Sequence, residues 1–142
     1  MEREIYTPAS GPPQGIAPGR EIYAAMGADN IYAMCADFYS RLEQSAIRPL
    51  FADDMPAASR KTAEFLMGIT GGPPIYAQKY GPPRMRARHL KFAIDEPARQ
   101  VWLGCFMKVL DYAVERYQFP QEHLEGFRRY LVGFSSWMVN VP

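Results

Sequence analysis

The sequence predicts an all-α domain. Apolar residues recur at spacings of three and four in several separate stretches, and no stretch alternates convincingly at period two. Helix start and stop residues bracket those stretches. Proline and glycine also gather in two clusters, seven of them in residues 1–19 and seven in residues 71–83.

The first cluster reads as a flexible leader over residues 1–20, ahead of a domain spanning 21–142. A short helix is expected after Gly19, running through Met26 and closing at Gly27. Asp29 is the expected cap of a second helix, whose buried stripe is Ile31, Met34, Cys35, Phe38 and Leu42 and which Pro49 ends. A corner at Phe51–Pro56 leads to a third helix with Ala58, Thr62, Phe65, Leu66 and Ile69 on one side; Gly71 and Gly72 stop it. The second cluster, GGPPIYAQKYGPP, is a long connection of the kind that is usually functional or locally braced. RMRARHLKF is room for a short helix only. Asp95 then caps a long helix that carries Pro97 in its first turn and runs to about Tyr117, with Val101, Trp102, Cys105, Val109, Tyr112 and Ala113 on its face. A last helix starts at Pro120 and carries Leu124, Phe127, Leu131, Phe134 and Met138.

Composition narrows the function. The 142 residues hold 16 basic and 15 acidic side chains, so no global field draws the chain to nucleic acid or to a membrane surface. No apolar run approaches the length of a membrane span. The first residues mix both charge signs without an apolar core, so no signal peptide is expected and the chain is placed in the cytoplasm. Two cysteines without a CxxC pair make neither a disulfide framework nor a zinc site by themselves. Against 9 Tyr, 8 Phe and 2 Trp there are only 2 His, so each imidazole carries weight.

His89 is the stronger of the two. A lone histidine is more often packed or exposed than a ligand, yet its surroundings suit an axial imidazole. Arg84, Arg86, Arg88 and Lys91 would offset the carboxylates of a porphyrin, and Met85, Leu90 and Phe92 supply apolar lining. The same RMRARH run also reads as a solvated basic patch. Trp102 and Tyr39 lie on apolar helix faces, where each polar atom needs a partner once buried. Taken singly, each is core packing. His123, near the start of the last helix, reads as a surface residue.

Together these residues resemble a known pattern. Phe38-Tyr39, Phe51 at the corner, Gly71-Gly72 followed by Pro73, RMRARH ending in His89, and Val101-Trp102 are similar to the group II truncated (two-over-two) haemoglobins. The resemblance covers about residues 21–140. The 19 positions from Thr70 to His89 and the 13 from His89 to Trp102 fit the family without gaps. It implies a truncated globin fold, a two-over-two helical sandwich around haem b (iron protoporphyrin IX). It further implies His89 as the iron ligand, Arg88 as the propionate-binding arginine, and Phe51 as the aromatic packed on the haem face. Met85, Arg86, Phe92 and Tyr76 complete the expected cofactor contacts. Tyr39 and Trp102 correspond to the distal donors that act on the ligand. Ala58 falls at the distal gate, and Thr62 faces the ligand where the family more often carries Leu or Gln.

The expected function is binding of dioxygen and other diatomics at a five-coordinate iron. Two distal donors imply slow release, which suits scavenging, sensing, or redox chemistry with nitric oxide or peroxide over bulk transport. Carbon monoxide would bind the same site, and a reductase is the expected protein partner of a monomer or homodimer. The alternative is a haem-free globin scaffold working as an interaction or regulatory module.

Overall fold

A computed structural model describes residues 4–13 and 17–142. Among these residues the regular structure is helical: α1 (Ile22–Met26), α2 (Ala28–Glu43), α3 (Met55–Ile69), α4 (Ile75–Tyr80), α5 (Met85–His89), α6 (Glu96–Tyr117) and α7 (Gln121–Met138), with a 3-10 turn at Arg48–Leu50. The α2–α3 pair and the α6–α7 pair are joined through α2 against α6, the two-over-two sandwich. α1 leans on α2, α4 on α3 and α5 on α7. Among the described residues no helix is long and apolar enough to cross a membrane.

One of the two expected caps is found: Asp95 accepts from the Ala98 amide at 2.8 Å, and Asp54, read in the sequence only as part of the corner, does the same for the Ala57 amide at 3.0 Å, each satisfying a donor that the first helical turn leaves open. Asp29, the other expected cap, sits inside the first turn of α2, which starts from Gly27 at φ 79°. Its carboxylate there complements the positive end of the helix instead of capping it. α2 also stops at Glu43, well before Pro49. The Ser45 hydroxyl donates to the Leu42 carbonyl at 2.7 Å and accepts from the Ile47 amide, turning the chain early.

The proline-rich connection is partly helical: α4 lies inside it and buries Tyr76. The buried carboxylate of Glu64 on α3 accepts from Lys79 Nζ at 2.5 Å, tying α4 down. The core proper is Phe38, Phe106, Phe127, Leu42, Leu110 and Leu131 with their neighbours. The α3 stripe departs from the expected pattern. The residues it buries are Met55, Ser59, Ala63, Glu64, Leu66 and Met67. Ala58, Thr62 and Phe65 instead face a cavity. Tyr112, expected on the buried face of α6, is 50% exposed and lies against Arg116.

Residues 4–13, which belong to the expected leader, touch the domain. The Tyr6 amide donates to the Asn140 carbonyl at 2.9 Å, and Pro8 is buried.

The glycine pair after α3 has a steric reason. Gly71 has φ 96°, and a Cβ there would lie 1.8 Å from the Arg20 carbonyl oxygen. Gly104, in the middle of α6, has open space around the same atom. Gly71→Ala is therefore expected to destabilise by more than about 2 kcal/mol, because both φ and contact are violated. Gly104→Ala is expected to stabilise by about 0.5–1 kcal/mol. Urea unfolding of the two variants checks the opposite signs.

Candidate functional site

A cavity of about 380 Å³ opens among α3, α5, α6 and α7, with Tyr39 of α2, Phe51 of the corner and Tyr76 of α4 closing its walls. Its volume is within the range of small-molecule and cofactor sites. Of the residues singled out in the sequence, Tyr39, Phe51, Ala58, Thr62, Tyr76, Met85, Arg88, His89, Phe92 and Trp102 all line it.

Arg86 does not, and here the expectation is corrected. Its guanidinium donates to the carbonyls of Trp137, Val139 and Tyr6 and stacks on the Trp137 ring. On a five-residue helix, successive side chains leave in different directions, so a run of alternating arginines cannot all serve one pocket.

The chemistry at His89 follows from one contact. Nδ1 lies 2.6 Å from the Met85 carbonyl oxygen, one turn back on α5. A carbonyl can only accept, so Nδ1 carries the proton and Nε2 keeps its lone pair. Burial holds the imidazole below its ordinary value of 6.5, against the opposing pull of the Met85 carbonyl; the positive charges of Lys91 and Lys61 push in the same direction as burial. The ring is therefore neutral at pH 7, the form in which imidazole ligates a metal.

Arg88 holds the loop beside it. Nε donates to the Pro83 carbonyl at 2.6 Å, and Nη2 to those of Tyr80 at 2.7 Å and Pro82 at 2.9 Å. Three of its five N–H groups are thereby used, and the two on Nη1 lie outside that net. Its guanidinium also sits 5.3 Å from the centre of the Tyr76 ring.

Tyr39, Thr62 and Trp102 form a second group. The Tyr39 hydroxyl and Thr62 Oγ1 are 2.6 Å apart, and either can donate. Burial pushes the phenol up to about 12, with the Thr62 contact opposing, so the hydroxyl stays protonated at neutral pH. Phe38, wholly buried, meets both Tyr39 and Trp102 edge to face with centroids 5.4 Å apart in each case. Phe51 braces Tyr39 from another direction at 5.9 Å.

Lys61 was missed in the sequence, as were the contributions of Tyr130, Ser135 and Met138 from α7. A lysine in the middle of an amphipathic helix reads as solvent-facing, and only its position beside Thr62 was a signal. Lys61, Arg88, Lys91 and Arg99 place four basic side chains along a mainly apolar slot, and Arg99 among them is paired with Glu96. A flat apolar group with acidic substituents and a metal in want of one neutral nitrogen fits this lining. His123 lies elsewhere, 3.3 Å from a Glu21 carboxylate oxygen.

Thr62→Val keeps the shape and removes the only side-chain partner seen for the Tyr39 hydroxyl among the described residues. It is expected to cost the ligand-free protein about 1–2 kcal/mol in chemical unfolding. An unchanged midpoint would show that the hydroxyl pair contributes nothing to the fold.

Comparison with known proteins agrees with this geometry. The bacterial-like globin family model matches residues 21–134. Group 2 truncated hemoglobin YjbI of Bacillus subtilis (strain 168) is 34% identical over 91 residues, which are 63% of this chain and 69% of that protein. The crystal structure of phosphate-bound Hell's gate globin IV superposes with a TM-score of 0.81 at 31% identity, covering 91% of this chain and 80% of that one. The truncated oxygen-avid haemoglobin from Bacillus subtilis gives a TM-score of 0.75 at 31% identity, covering 83% and 98%. The chain thus belongs to the bacterial-like globins, among the group II truncated haemoglobins.

Proposed function

We propose that this chain holds haem b in the cavity with His89 as its axial ligand and captures a diatomic between Tyr39 and Trp102. Haem-based gas binding is what the family supports. The observation that carries the finer reading is the Met85–His89 contact, which prepares a neutral imidazole with a free Nε2 on the wall of an apolar, cation-rimmed slot.

When bound, the haem supplies an open coordination position for dioxygen, carbon monoxide or nitric oxide. The protein supplies the rest. Lys61, Lys91 and Nη1 of Arg88 would meet the propionates, while Phe51, Phe92, Met85 and Tyr76 exclude water from the ring faces. The Tyr39 hydroxyl and Trp102 indole N–H would donate to the negative end of a polarised diatomic. Each such bond to a charged acceptor contributes about 1.5–3 kcal/mol. Since about 1.4 kcal/mol is a factor of ten, two of them favour retention over release. Slow release suits scavenging, sensing or redox chemistry with nitric oxide or peroxide. For the redox reading a reductase is the expected protein partner. His89 is the one histidine on the cavity wall, so Tyr39, Trp102 or water must hold the proton a peroxide needs.

The purified protein loaded with haemin is expected to show a Soret band that His89→Ala loses or shifts. Protein that stays folded and colourless with haemin would favour the haem-free scaffold instead. Trp102→Phe keeps the aromatic bulk and removes the N–H. Stopped-flow measurement should find dioxygen leaving about tenfold faster, and an unchanged off-rate would take Trp102 out of the ligand network.

A further inference from the structure

The helix that carries His89 has little of its own to hold it. α5 is five residues long, has no side-chain cap, and begins from Arg84 in the left-handed region at φ 39°. A single turn of helix does not persist in water without tertiary support. The support comes from both ends of the chain.

Asn140 is completely buried. Its Nδ2 donates to the His89 carbonyl at 3.2 Å, and its Oδ1 accepts from the Ile94 amide at 3.0 Å. Its own amide donates to the Ile94 carbonyl at 2.9 Å, and its carbonyl accepts from the Tyr6 amide at 2.9 Å. Arg86, on α5 itself, gathers the Tyr6 and Val139 carbonyls at 2.8 Å each, together with that of Trp137. The N-terminal segment, the C-terminal tail and the α5–α6 connection thus meet behind one histidine.

We propose that the two chain ends form a clamp on the outer side of α5, with Asn140 as a positioning residue for His89. The coupling is direct. The imidazole is locked to its helix by the Met85 carbonyl, and the helix is locked to the domain by Asn140 and Arg86. The orientation of the ring is therefore the orientation of α5. A buried amide with both of its ends bonded suits this task, because loss of either bond leaves a partner unsatisfied. The part of the inference that concerns an iron ligand rests on the haem reading above; the clamp on α5 does not.

The test compares Asn140→Ala, Asn140→Asp and Arg86→Lys with the unaltered chain. Asn140→Asp keeps the acceptor for the Ile94 amide and removes the donor to His89, whereas Arg86→Lys leaves Asn140 in place if the buried substitutions fold poorly. Hydrogen exchange of the amides of residues 85–94 is measured on haem-free and haem-loaded protein. The iron–imidazole stretching band is measured by resonance Raman on the ferrous form. Exchange in that segment about tenfold faster in the variants, with α2 and α6 unchanged and the stretching band shifted, is the expected result. Wild-type exchange in all three variants would overturn the clamp. Faster exchange with an unshifted band would overturn the positioning role of Asn140. A chain that takes up no haemin would end the haem reading, and the exchange comparison on the haem-free protein would still decide the clamp.

Discussion

The structure is organised around a cavity of about 380 Å³. Protein interiors pack as densely as organic crystals, and apolar walls without contact partners on one side lose dispersion energy. The walls of this cavity are held in place by contacts from outside it. Phe38 does this at one side by seating both Tyr39 and Trp102 edge-on. Glu64 and Lys79 fix α4, Arg88 gathers the carbonyls of the proline turn, and the chain ends hold α5. A group that fills the slot would restore the missing contacts, so haem and fold stabilise each other by mass action.

The helices were legible in the sequence because their caps and periods are local. Asp95, Pro97 and the glycine pair mark boundaries through interactions that span a few residues. The α3 stripe shows where that legibility ends. Ala58, Thr62 and Phe65 form an apolar face at the helical period, as a core stripe does, but the face is covered by a void. Periodicity reports that a face avoids water and is silent on what covers it. Likewise α4 was hidden between prolines, because six residues give too few periods to read.

For the site, motif spacing brought ten of eleven expected residues to one cavity, and the exception is instructive. Arg86 and Arg88 are two residues apart and equally basic. Arg88 faces the proline turn and the slot, whereas Arg86 faces the chain ends. Nothing in local sequence separates them, since the choice is made by the carbonyls of Tyr6, Trp137 and Val139, up to 80 residues distant. Asn140 was invisible for the same reason. It lies outside every apolar stripe, and its importance comes from the segments that happen to meet it.

Thr62 bears on how the proposed distal donor Tyr39 would work. A phenol has one proton. In the ligand-free chain the Tyr39 hydroxyl is shared with Thr62 at 2.6 Å, and either oxygen can donate. Under the proposed reading a polar ligand in the cavity would remove that freedom: Tyr39 would donate to the ligand, and the Thr62 hydroxyl would then donate to Tyr39. Each bond then polarises the next, and a tyrosine that accepts a hydrogen bond is a stronger donor than one that does not. A leucine at this position offers no such support, and a glutamine brings a second donor of its own to the ligand. Threonine would act through Tyr39 instead, strengthening one donor without adding another. With a phenol that burial keeps protonated, the proposed pair would favour holding a polar ligand over handing it a proton.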